Sequence, residues 1–166
     1  MKTAFIIIDV QNILVETGFQ TEKLLEKIAY LQEQARKQQI EIIYIQHIET
    51  PEALTSEDWQ LSPLLKRQEN EKVFQKRYNS MFKETGLKEY LDQQGIEQLV
   101  LCGMQTEYCV DTSVKVGFEY GYKLVIPEGA VTTFDGDDIP AETLNEFYEN
   151  IWEGRFADVI DYKTIF

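Results

Sequence analysis

Short runs of β-branched and other apolar residues alternate with amphipathic stretches along nearly the whole chain, and this alternation narrows the possible folds more than any single residue does. Strands are expected over residues 4–8, 41–46, 98–101, 123–126 and 157–160. Between them, residues 21–39 carry Leu24, Ile28, Leu31 and Ala35 on one helical face. Residues 85–94 place Leu87 and Leu91 inward before Gly95, 106–120 end at Gly121, and 141–151 form a last helix. Strand–helix–strand units of this kind imply an α/β protein, with a mostly parallel sheet covered on both faces. No linker, repeat or low-complexity tract divides the 166 residues, so residues 1–166 are expected to form a single domain.

Composition excludes several classes of function. No apolar run approaches the roughly 20 residues needed to span a bilayer. The opening run Phe5-Ile6-Ile7-Ile8 is short and ends at Asp9, which suits a buried strand better than a signal peptide. A net charge of −13 argues against partners rich in phosphate, so neither nucleic acid nor a membrane surface is expected. Two cysteines, Cys102 and Cys109, form no disulfide framework, which fits a reducing, cytoplasmic location.

Ligands of open parallel sheets bind at the carboxyl ends of the strands. Asp9, His47 and Cys109 each lie just past an expected strand end, so they can converge on one edge. Cys109 follows an apolar run, Gly103 and the start of a helix-like segment. A thiol near a helix N-terminus faces free N–H groups that favour thiolate, the attacking form. The alternative is a small buried hydrophobe. Asp9, after three isoleucines, is either a partly desolvated base or a loop cap. Lys76 lies among aromatics in Val73-Phe74-Gln75-Lys76-Arg77-Tyr78 and either steadies these groups or is a surface lysine. His47, the single histidine, is either a base or a structural residue. One histidine and two separated cysteines offer too few ligands for a zinc site, and no glycine-rich phosphate loop is present, so neither metal nor cofactor is expected.

Taken together, Asp9-Val10-Gln11-Asn12, Lys76 with Phe82 six residues on, and Gly103-Met104-Gln105-Thr106-Glu107-Tyr108-Cys109-Val110-Asp111-Thr112 resemble the isochorismatase-like cysteine hydrolases. That family includes nicotinamidase and N-carbamoylsarcosine amidohydrolase relatives. The resemblance covers nearly the whole chain. It implies a three-layer α/β/α fold with a mostly parallel central sheet of about six strands. It also implies an Asp9–Lys76–Cys109 triad, a cis peptide between Met104 and Gln105, and an oxyanion hole from the N–H groups of Gln105 and Cys109. The activity implied is hydrolysis of a small amide or related C–N bond through a thioester. Homo-oligomers, as dimers or larger assemblies, are implied as well.

Two departures shape that expectation. Residues 49–54 offer no histidine cluster of the kind that binds metal in nicotinamidases, and Gln105 stands where a small or apolar residue is common. True isochorismatases lack the cysteine, so a vinyl-ether substrate is not expected. Leu14, Phe19, Trp59 and Tyr108 are candidate walls for a small-molecule substrate. The alternative to an enzyme is a non-catalytic metabolite-binding protein on the same fold.

Overall fold

The centre of the molecule is a strand with no solvent-facing side: β1 (Thr3–Ile8) turns Phe5 and Ile7 to one face of a sheet and Ala4, Ile6 and Ile8 to the other, all fully buried. Both faces are covered, so the run is continuously apolar rather than alternating. The computed structural model describes residues 1–166. No helix in it is long and apolar enough to cross a membrane.

Parallel strands extend on both sides of β1. On one side lie β2 (Glu41–His47) and, at the edge, β3 (Lys72–Lys76). On the other lie β4 (Gln98–Met104), β5 (Lys123–Pro127) and β7 (Asp158–Ile160), while the short β6 (Val131–Thr132) pairs with the end of β4. The resulting sheet has 7 strands in the order β3-β2-β1-β4-β5-β7, with β6 off this path. The sequence walks outward from β1 to β3 and then returns to the opposite side of β1. That reversal puts the switch point of the strand order at the carboxyl ends of β1 and β4, where sheets of this kind bind ligands.

Helices cover both faces. Helix α1 (Asn12–Thr17) leads into α2 (Thr21–Lys37), whose Leu24, Ile28, Leu31 and Ala35 pack with Phe5, Ile7, Ile42 and Tyr44. On the opposite face, α3 (Leu87–Gln93), α4 (Asp111–Glu119) and α5 (Ala141–Trp152) contribute Leu87, Leu91, Val114 and Trp152 to a cluster with Ile6, Ile8, Ile45 and Leu101. This is the expected three-layer α/β/α arrangement.

The structure adds elements that periodicity did not suggest. Strand β3 sits at the edge, with Lys72 and Gln75 exposed, so its five residues form no apolar run. The helix expected over 106–120 is a π-helical turn, Thr106–Val110, continuing into α4. β6 and α1 are too short to show a period.

One glycine is required by the approach of β4 to β1. Gly103 has φ 126°, and a Cβ there would lie 2.0 Å from the carbonyl oxygen of Ile8, a backbone atom that cannot give way. Gly103→Ala is expected to destabilise the fold by about 4 kcal/mol or more in urea unfolding. Gly95→Ala (φ +65°, with open space around the site) is expected to cost only about 1–2 kcal/mol.

Candidate active site

Four strand ends meet at the crevice. Asp9 leaves β1 with φ 51°, its N–H donating to the carbonyl of Ile45 at 3.0 Å, and its side chain is 2% exposed. Lys76 ends β3 and His47 ends β2. The parallel register sets these two residues side by side, so their side chains leave the same face of the sheet. Cys109 lies in the π-helical turn that follows β4.

The Lys76 ammonium is the hub. Its Nζ lies 2.8 Å from Asp9 Oδ2, 3.1 Å from Cys109 Sγ, 3.0 Å from the carbonyl oxygen of Tyr78 and 3.0 Å from His47 Nδ1. The Lys76 side chain is fully buried. The second carboxylate oxygen of Asp9, Oδ1, is buried with no hydrogen-bond partner. Of the residues singled out in the sequence, the structure therefore brings Asp9, Lys76, Cys109 and His47 together.

Neighbouring elements hold Cys109 in place. The peptide bond between Met104 and Gln105 is cis. The carbonyl of Gln105 accepts from the N–H groups of Tyr108 and Val110, at 3.1 and 3.2 Å, whereas the Gln105 N–H makes no hydrogen bond within the protein. Thr106 Oγ1 donates to Asn145 Oδ1 of α5 at 2.6 Å, and Trp152 Nε1 donates to Asp111 Oδ1 at 2.9 Å. From the other side, the Met81 N–H donates to Ser113 Oγ at 3.0 Å, tying the loop after β3 to α4. That loop carries Asn79, whose Oδ1 is 3.9 Å from Cys109 Sγ.

Burial dominates the electrostatics. Desolvation lifts the Asp9 carboxyl above its ordinary range, with Lys76 opposing the rise through its charge and hydrogen bond. Burial and then the Asp9 charge push the Cys109 thiol up to about 12, again against the pull of Lys76. Here the structure departs from the sequence reading, in which a helix N-terminus favoured thiolate. Cys109 is only 9% exposed and packs in the cluster of Ile8, Met81, Phe82 and Val110, so desolvation works against the thiolate that a helix end favours. Half-burial and Lys76 hold the His47 imidazole below its usual value, against smaller pulls from Asp9 and Glu49.

Ligand atoms of Asp9, His47 and Cys109 lie within 4.8 Å of one another, a spacing that could suit a metal ion. The Lys76 ammonium, within 3.1 Å of all three residues, already supplies the positive charge there, so these residues do not fit a bound metal.

The candidate pocket residues scatter. Trp59 sits beside His47, ring centroids 6.1 Å apart. Leu14 packs against the α2-side core, and Phe19 lines a separate groove with Lys23 and Glu146. Tyr108 is 54% exposed. Lys76 also borders a cavity of about 360 Å³ walled by Ile48, Leu54, Arg77 and Tyr78. Sequence reasoning missed Gln11, whose side-chain amide accepts from the His47 N–H at 2.9 Å and donates to the carbonyls of His47 and Trp59 at 3.0 and 2.6 Å. Its sequence signal was its place in the Asp9-Val10-Gln11-Asn12 motif, to which no role for its side chain was attached.

Comparison with known proteins follows the same lines. The family model described as "Isochorismatase domain" matches residues 3–163. The uncharacterized isochorismatase family protein YddQ of Bacillus subtilis (strain 168) is 28% identical over 172 residues, covering 96% of each chain. A streptothricin hydrolase of Streptomyces noursei is 28% identical over 144 residues, spanning 83% of this chain and 51% of its own length. Among solved structures, an isochorismatase from Pseudomonas putida KT2440 superposes with a TM-score of 0.91 at 28% identity, covering 99% of this chain and 90% of the other.

Removing the hub cation leaves a buried carboxylate alone. Lys76→Met is expected to cost about 3–5 kcal/mol at neutral pH. The Asp9 pKa, already raised in the folded state, rises further without Lys76. The penalty is therefore absent below the unfolded value near 4 and grows as pH rises through the folded one. Thermal unfolding should show a larger deficit against the parent at about pH 8 than at about pH 5.

Proposed function

This chain belongs to the isochorismatase family, and from that premise we propose that it is a cysteine hydrolase acting on a small amide or related C–N bond, with Asp9, Lys76 and Cys109 as its catalytic groups. The observation that carries this reading is the buried ammonium of Lys76, 2.8 Å from the Asp9 carboxylate and 3.1 Å from the Cys109 sulfur. A carboxylate with a raised pKa is matched to taking a proton from a thiol. The likeness to a streptothricin hydrolase agrees with a hydrolytic reaction.

In this mechanism the Cys109 proton passes to Asp9 as the sulfur attacks the carbonyl carbon. The transfer conserves net charge inside the crevice, and Lys76 stabilises the anion wherever it rests. The oxyanion of the tetrahedral intermediate accepts from the N–H groups of Gln105 and Cys109, each such donor worth about 10²–10³ in rate. Asp9 returns its proton to the departing amine, leaving a thioester. It then deprotonates a water molecule that attacks the thioester, releasing the acid and restoring the thiol. A high thiol pKa in the free protein suits this scheme, because the nucleophile forms by transfer to a neighbour rather than to solvent.

Ammonia release from a panel of primary amides and carbamoyl compounds tests the reading, with Cys109→Ala expected to abolish turnover of any compound hydrolysed. Full turnover by that variant would overturn the scheme, and tight binding without turnover across the panel would favour a metabolite-binding protein. Asp9→Asn separates acidity from catalysis. Turnover is expected to fall by about 10²–10⁴ through loss of the base. Alkylation of Cys109 by iodoacetamide should move to lower pH, because the carboxylate charge that raises the thiol is gone.

A further inference from the structure

We infer that His47 is a positioning residue for Lys76, its neutral imidazole accepting one ammonium hydrogen through Nδ1 while Cys109 is a thiol and yielding that hydrogen when the sulfur becomes an anion. This inference rests on the cysteine-hydrolase reading and adds to it a group outside the triad.

Proton accounting leads to it. An ammonium has three N–H bonds, yet Lys76 Nζ faces four acceptors between 2.8 and 3.1 Å: Asp9 Oδ2, Tyr78 O, His47 Nδ1 and Cys109 Sγ. While Cys109 keeps its proton, its S–H has Asn79 Oδ1 as acceptor, 3.9 Å away, and a neutral thiol sulfur accepts only weakly. The sulfur is then the weakest of the four acceptors, and the third ammonium hydrogen goes to His47. Once the proton has moved to Asp9, the sulfur carries the charge and becomes the strongest acceptor. The hydrogen swings from imidazole to sulfur, and no charge enters or leaves the crevice.

The imidazole is held for this task. Gln11 clamps both backbone groups of His47, and Trp59 lies against its ring. A nitrogen that accepts from an ammonium cannot carry a proton, so the ring proton belongs on Nε2. The charged and titratable groups around the ring are Lys76, Asp9, Cys109 and Glu49. Protonating His47 would remove the acceptor and set two cations 3.0 Å apart.

His47 is the only histidine, so ¹⁵N NMR of the labelled protein reads this one ring directly, with or without a known substrate. The expected spectrum at neutral pH has a bare Nδ1 and a protonated Nε2, titrating below the ordinary value of about 6.5. In His47→Ala, Cys109 loses the group that stabilised its thiol state, so the pH midpoint of iodoacetamide alkylation should fall by about one to two units, the size of one hydrogen bond to a charged group. His47→Gln, which keeps an acceptor oxygen, should restore most of the shift. A protonated Nδ1 in the parent would overturn the inference. So would a midpoint in His47→Ala that stays put or rises, the latter being the mark of a lost general base. Failure of the amide panel alone would sink the hydrolase reading and leave the ring measurement to stand by itself.

Discussion

A lysine and an aspartate paired in the interior, 0% and 2% exposed, constrain everything built around them. Taking two charges out of water costs several kcal/mol per ion, and apolar replacements of such pairs are often as stable. Packing alone therefore gives little reason for Lys76 and Asp9 to sit where they do. The pair becomes tolerable because the ammonium finds four acceptors and the aspartate N–H is bonded to Ile45. What it supplies is a fixed positive charge beside a sulfur in a region of low dielectric, where small displacements of a proton carry large electrostatic consequences.

The doubly wound sheet brings these groups together economically. Asp9, His47 and Lys76 terminate adjacent parallel strands, so their spacing is set by strand separation rather than by loop conformation. Cys109 arrives from β4, on the far side of β1, at the reversal in strand order. Gly103 lets that strand pass against the Ile8 carbonyl, one residue before Asp9. The site is therefore built largely on the sheet. Only the π-helical turn and the loop through Asn79 lie outside it, and Ser113 ties the two together.

Much of this was legible in the chain. Asp9 and Cys109 stand at visible boundaries, one ending a run of isoleucines and the other following a glycine, and the apolar faces of α2 and α3 carry a clear helical period. Lys76 was different. Its strand, Lys72–Lys76, lies at the sheet edge with polar residues facing solvent, so no hydrophobic pattern distinguishes it from a loop; its place among aromatics left a surface lysine open, and the family resemblance was needed to place it in the site. The acidity of Cys109 was misjudged for a related reason. Sequence shows the helix that follows a cysteine but not the apolar side chains that close over it, and here the latter prevail. Gln11 was hidden because its amide serves backbone groups 36 and 48 residues away, contacts with no local signature.

The two cysteines end up in separate compartments. Cys109 belongs to the cluster under α3, α4 and α5, whereas Cys102, fully buried, belongs to the cluster under α2, with the sheet between them. If an oxidant converted the Cys109 sulfur to a sulfenic acid, no resolving thiol of the same chain could reach it. Rescue would have to come from a small exogenous thiol entering the crevice, and without one the sulfur would continue towards the irreversible sulfinic state.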